Sequence, residues 1–290
     1  MALTSSEDCN AAKNEKGTSM LLLASLTILL LLVFVVIPKL RLRYVLMRAF
    51  PHHFSKILRK NLPGYTRMPT DVQMQLKRKI RQFLHEKTFV ACGDLEMNDE
   101  IRVTIAGKAC LLLLNRETEV FPKLSHILVY PSAFVVPRQR IEGGGIVTHT
   151  NQTLSGESWS DGRVILAWDQ IVNNPHNEKM GQDVVIHEFA HQLDSEDGST
   201  NGAPVLPSTV AYRHWSQVME REFLRLQSAI DQQEESVIDP YGATNPAEFF
   251  AVTTEAFFKK SQALAYCHPE LFELLRNYFR VDPREWCREQ

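Results

Sequence analysis

Apolar and polar positions change their spacing several times along this chain of 290 residues, and each change marks an element. From Met20 to Ile37 there is no polar face: MLLLASLTILLLLVFVVI carries no charge. As a helix these 18 positions rise about 27 Å, close to the thickness of a bilayer's hydrocarbon core. A cleaved leader would have a shorter apolar run ending in small residues, whereas this run ends in Val-Val-Ile-Pro-Lys. The pattern predicts a retained transmembrane helix over 20–37, preceded by a tail over 1–19. Lys39, Arg41, Arg43 and Arg48 follow the helix, against Lys13 and Lys16, among Glu7, Asp8 and Glu15, in the tail. Basic flanks stay on the cytoplasmic side. A single-pass protein follows, with its N terminus outside and the rest of the chain in the cytoplasm.

Beyond the helix, 38–69 mixes basic, aromatic and proline residues and reads as a juxtamembrane connector suited to an anionic lipid surface. The remainder, 70–290, reads as one domain. Between Asp71 and His85 the apolar positions Val72, Leu76, Ile80, Phe83 and Leu84 form a helical stripe. Ile101–Leu114 is apolar with few breakers and helix-like, with a turn at Asn115-Arg116. Ile127–Val136 has β character interrupted by Pro131. Arg163–Trp168 (RVILAW) reads as a strand, and as a sheet edge it could offer backbone hydrogen bonds to an extended peptide. Gly143, Gly144 and Gly145 suit a loose connection between strands or a mobile flap. From Gly181 onward the pattern is mostly helical. Strands followed by helices predict an α+β fold, a small sheet packed on helices.

Composition changes this picture little. Apolar content of 44% and charged content of 23% are ordinary for a folded domain. The net charge of −2 lacks the basic excess of a nucleic-acid binder, so no nucleic-acid partner is expected. Cys9, Cys92, Cys110, Cys267 and Cys287 are dispersed and odd in number, which favours reduced thiols in a cytosol-like compartment. Cys267 with Cys287 is the pair that could approach in space.

The chemistry concentrates in DVVIHEFAHQLD, Asp183–Asp194. Its apolar residues predict a buried helix. His187 and His191, four apart, share one face and can converge on one ion. Glu188 lies about 100° around the helix, placed to act on water without ligating. Two histidines and a carboxylate on a buried apolar helix are costly unless something pairs them, and a metal supplies the pairing. The donor set points to zinc.

A catalytic zinc takes three protein ligands and keeps one position open. Asp197 stands where a third histidine of the longer motif would be. The downstream candidates lie in NPAEFFAVTTEAFF, where Asn245 can cap a helix with Pro246 at its first position. Glu248 and Glu255 are two turns apart on nearly the same face. Glu248 also stands where a glutamate closes a capping box. Spacing alone leaves the two open.

HEFAHQLD at 187–194, YGATNPAEFFAVTTEAFF at 241–258, GESW at 156–159 and RVILAW at 163–168 resemble the Mlc titration factor A metallopeptidases, in matching order, from about Pro69 to Pro283. That family's catalytic domain is similar to the protease domain of anthrax lethal factor, which implies a zincin-like fold. The resemblance implies His187, His191 and Glu248 as zinc ligands, Glu188 as general base and Tyr241 as a transition-state stabiliser. It leaves Glu255 and Asp194 as carboxylates that could orient the ligand imidazoles. The family's soluble member binds a glucose-responsive repressor and has aminopeptidase activity. The apolar N-terminal helix departs from that pattern, so the repressor is not carried over as a partner.

The expected function is that of a membrane-anchored zinc peptidase acting on a peptide or protein. A zinc-stabilised protein-binding module with incidental hydrolysis is the alternative. A membrane scaffold, in which the helix matters more than the domain, has only the apolar run to support it.

Overall fold

The computed structural model describes residues 20, 23, 25–142, 146–154, 156–159, 162–172 and 181–286. The chain forms two compact units, Met1–Ala49 and Phe50–Gln290.

In the first unit one helix, Ser25–Met47, is long and apolar enough to cross a membrane. It widens into a π turn over Leu32–Val36, where the Ile37 amide donates to the Leu32 carbonyl. Pro38, next in sequence, has no amide hydrogen to give, and widened turns commonly absorb such a break. The helix runs to Met47 rather than ending near Ile37, so Lys39, Arg41 and Arg43 lie on it.

The second unit starts at Phe50, well ahead of the boundary at residue 70 suggested by patterning. Helix α1 (His52–Asn61) buries Ser55 and Leu58 and exposes His52, His53, Lys56, Arg59 and Lys60. Leu62, Tyr65 and Met68 are also in the core. A stretch that is mostly polar in composition belongs to the domain because every third or fourth residue is apolar. Helix α2 (Thr70–Glu86) buries the predicted Val72, Leu76, Ile80 and Phe83. Strand β1 (Thr88–Ala91) follows, then α3 (Asp99–Leu111), whose first turn is capped by Asn98 accepting from the Ile101 amide at 3.0 Å. Gly107 lets α1 approach α3; an added Cβ would lie 2.8 Å from Leu58 Cδ2.

Three strands are parallel: β1, β2 (His126–Tyr130) and β6 (Arg163–Ala167). Helix α3 makes the crossover between the first two, as parallel neighbours require. Between β2 and β6 come an antiparallel hairpin, β3 (Phe134–Glu142) with β4 (Ile146–Leu154), and then β5 (Gly156–Trp159), which pairs antiparallel with β6. The sheet order is β1-β2-β6-β5. RVILAW is therefore an interior strand, and β5 holds the edge where RVILAW was expected. Gly143, Gly144 and Gly145 lie outside the described residues, as do Cys9 and Cys287; Cys92, Cys110 and Cys267 are free thiols.

A short helix, α4 (Trp168–Ile171), leads toward the helical half: α5 (Val184–Asp194), α6 (Thr209–Asp231), α7 (Pro246–Lys259), α8 (Ser261–Cys267) and α9 (Pro269–Phe279). Helix α5 lies between the sheet side and α7. Its Phe189 meets Phe121 edge-on at 4.8 Å and Phe83 at 5.6 Å. On the far side, Phe249, Phe250, Phe257 and Phe258 of α7 join Trp215, Phe272 and Phe279 in the same core. Truncating Phe189 to alanine in such packing costs about 3–5 kcal/mol. The fold is helix-rich and mixed. Strands precede helices from β2 onward, while α1 to α3 and the β1-α3-β2 crossover bring helices in early.

Candidate metal centre

Both helices that carry the candidate ligands begin with a side-chain cap. Asp183 Oδ1 accepts from the amides of Val185 (3.2 Å) and Ile186 (3.4 Å) at the start of α5. Asn245 Oδ1 accepts from the Glu248 amide at 3.0 Å at the start of α7, with Pro246 in its first turn. The Glu248 carboxylate is turned toward the histidines instead of back to the cap.

His187 Nε2 lies 3.0 Å from Glu248 Oε2 and 3.2 Å from His191 Nε2, and His191 Nε2 lies 3.4 Å from Glu248 Oε2. Around a tetrahedral zinc with bonds of about 2.0–2.1 Å, neighbouring donors are about 3.3 Å apart. The three atoms thus form a triangle of the size one face of such a tetrahedron requires, and these residues form the one such donor group among the described residues. The charge balance also favours a cation. Burial alone would lower the His187 pKa, yet hydrogen bonds with Glu248 and Glu255 raise it well above the usual imidazole range. Burial pushes Glu248 up, but its bonds to His187 and His191 bring it down to about 2. A dication would satisfy the same carboxylates in place of that proton, so the donor set fits a divalent ion such as zinc.

The other imidazole nitrogens differ. His187 Nδ1 is 2.8 Å from Glu255 Oε1, and the backbone amide of Asp183 donates to Glu255 Oε2. His191 Nδ1 is buried without a hydrogen-bond partner among the described residues. Asp194, a candidate for orienting a ligand imidazole, instead accepts from the Gly202 amide with both oxygens, at 3.0 and 2.8 Å.

Glu188 is buried on α5. Burial, with the charges of Glu248 and Glu255 adding, raises its pKa to about 7 against the lowering effect of the histidines. Tyr241 stands on a 3-10 turn, Pro240–Ala243, with its ring 6.1 Å from that of His187 and half its surface exposed. Asp239 holds that turn, accepting from the Tyr241 amide at 2.8 Å and from Gln182 Nε2 at 2.7 Å. Burial and then the charges of Glu248 and Glu188 raise the phenol's pKa, so it stays protonated.

Two residues around the centre carried no role in the sequence reading. Lys108 Nζ bonds Asp183 Oδ2 at 2.9 Å and the Ile171 carbonyl at 3.1 Å. A lysine inside the apolar run of α3 was the available signal, since such a group needs a buried partner. Asp183, immediately ahead of VVIHE, has the side chain of a helix cap.

A buried helix presenting two imidazoles, with a carboxylate from a second helix closing on them, is the metal-binding arrangement of a metallopeptidase. Residues 38–280 match the model of the glucose-regulated metallopeptidase M90 family, and the chain belongs to that family. It is 40% identical over 244 residues to protein slr2042 of Synechocystis, covering 84% of this chain and 89% of the relative. It is 33% identical to Mlc titration factor A of Klebsiella pneumoniae over 76% of this chain and 83% of the relative. The corresponding protein of Escherichia fergusonii is 31% identical over 77% and 84%.

Proposed function

We propose that this metallopeptidase is a zinc enzyme of zincin-like fold that hydrolyses peptide bonds, with His187, His191 and Glu248 as ligands and Glu188 as general base. The observation that carries the reading is the donor triangle of His187, His191 and Glu248, with the buried carboxyl group of Glu188 next to His187 on the same helix. Zinc, when bound, supplies Lewis acidity that acidifies water and polarises a carbonyl. Glu188 takes a proton from water and returns it to the leaving amine. Tyr241 keeps its proton and donates it as a hydrogen bond to the developing oxyanion. Glu255 holds His187 in the tautomer that presents Nε2 to the ligand site. Strand β5, paired on one side among the described residues, offers an edge for an extended substrate.

Glu188→Gln should keep stoichiometric zinc, read by elemental mass spectrometry, while hydrolysis of a peptide library falls at least about 10³-fold. His187→Ala should lose the metal. The same library, scored for cleavage position, reads whether residues leave from the amino terminus, as the family resemblance suggests. Undiminished cleavage by Glu188→Gln would remove the general-base assignment. The relatives' name, Mlc titration factor A, favours a second reading as a protein-binding module; zinc retention without any turnover by the wild type would support it.

The helix Ser25–Met47, with Lys39, Arg41, Arg43 and Arg48 at its C-terminal end, supports a membrane anchor with the peptidase unit in the cytoplasm. The basic solvent face of α1 suits anionic headgroups. Retention in membranes after alkaline extraction, with the peptidase unit cleaved by protease only in opened vesicles, is the expected result.

A further inference from the structure

Helix α5 ends at Asp194, three residues after His191, and helix α7 begins at Pro246, two residues before Glu248. What lies between those two ends is Gly202. Its amide is held by both oxygens of Asp194, whose side chain is fully buried. Its carbonyl accepts from Trp215 Nε1 at 2.9 Å. Its Cα faces the Pro246 carbonyl so closely that an added Cβ would lie 2.3 Å from that oxygen and 2.7 Å from its carbon. Its φ of +80° is a conformation that side chains disfavour, so both the fit and the backbone require glycine.

We propose that Asp194 and Gly202 are positioning residues for the metal centre: together they form a spacer, clamped by Trp215, that fixes how far the Glu248 end of α7 stands from the His191 end of α5. This rests on the reading of His187, His191 and Glu248 as metal ligands. Metal bonds tolerate departures of only about 0.2 Å. A Cβ at Gly202 must drive the Pro246 carbonyl back by more than that to reach ordinary contact, and Glu248 is in the same helical turn. Asp194 acts here as an acceptor of backbone hydrogen bonds. Its charge is incidental to the spacing.

The test is zinc affinity of the full-length protein, measured by competition with a chromophoric chelator at a temperature where circular dichroism shows each variant folded. Gly202→Ala and Asp194→Ala should bind zinc at least tenfold more weakly than wild type. Asp194→Asn, which keeps an acceptor oxygen for the Gly202 amide, should stay within about threefold of wild type. Trp215→Phe should fall between. A merely structural role would lower the melting temperature of the metal-free variants and leave the affinity of the folded protein unchanged, and that result overturns the proposal. So does an Asp194→Asn affinity as poor as that of Asp194→Ala, which would make the charge the operative feature. If Gly202→Ala does not fold, the Asp194 pair decides alone. A wild type without zinc affinity would instead remove the ligand assignment on which the proposal rests.

Discussion

The two ends of helix α5 each carry a buried aspartate, and they are held by opposite means. At the N-terminal end, Asp183 is paired with Lys108 at 2.9 Å and has Lys259 at 3.9 Å. Burial pushes its pKa up, but the two lysines outweigh that and bring it below the ordinary value. At the C-terminal end, the hydrogen bonds to Asp194 come from backbone amides. Burial raises its pKa, and the amides of Gly202 and its neighbours offset this only in part. The imidazoles follow the same division, His187 braced by Glu255 and His191 without a partner at Nδ1 among the described residues. Charge anchors one histidine and loop geometry the other. The lesson is that a single helix carrying candidate metal ligands can be fixed by electrostatics at one end and by backbone spacing at the other.

The largest test of this contrast is Lys108→Met. It removes the main partner of a buried carboxylate and should destabilise the fold by about 3–5 kcal/mol in denaturant titrations. A loss below about 1 kcal/mol would mean that Lys259 suffices and that the charged end is not charge-anchored. Tyr241→Phe comes next. Tyr241 belongs to the His187 end through Asp239 and Gln182, and kcat should drop about 10²-fold with zinc content intact. Glu255→Gln should weaken zinc binding by about 10–100-fold, the usual effect of removing a carboxylate behind a ligand histidine. An unchanged affinity would erase the difference between the two histidines.

The smallest effect is in pH dependence, and the two aspartates should give opposite signs. Asp183, depressed in the fold, contributes stability that is present above about pH 3.9 and lost as pH falls through its lower folded value. Asp194, raised in the fold, holds a proton that the unfolded chain has already released. Wild type should therefore lose stability relative to Asp194→Asn as pH rises from about 3.9 through the raised value. Denaturant midpoints of wild type, Asp183→Asn and Asp194→Asn between pH 3 and 7 read both slopes. Equal signs would break the comparison.

Sequence alone determined what is local. The unbroken apolar run fixes a helix long enough for a bilayer, and the stripe of Val72, Leu76, Ile80 and Phe83 fixes α2, because helical periodicity is a property of neighbouring residues. His187, Glu188 and His191 were legible for the same reason, since a four-residue spacing stacks two imidazoles in any helix. The choice between Glu248 and Glu255 was not legible. They share a face of α7 two turns apart, and only the crossing of α5 over α7 decides that one His187 ring meets both, Nε2 toward Glu248 and Nδ1 toward Glu255. The same holds for the place of residues 50–69 in the second unit, the interior place of RVILAW in the sheet, and the diversion of Asp194 to Gly202. Each depends on which surfaces face each other across distant parts of the chain. Packing settles that, because a buried polar group takes whichever partner the fold brings within reach.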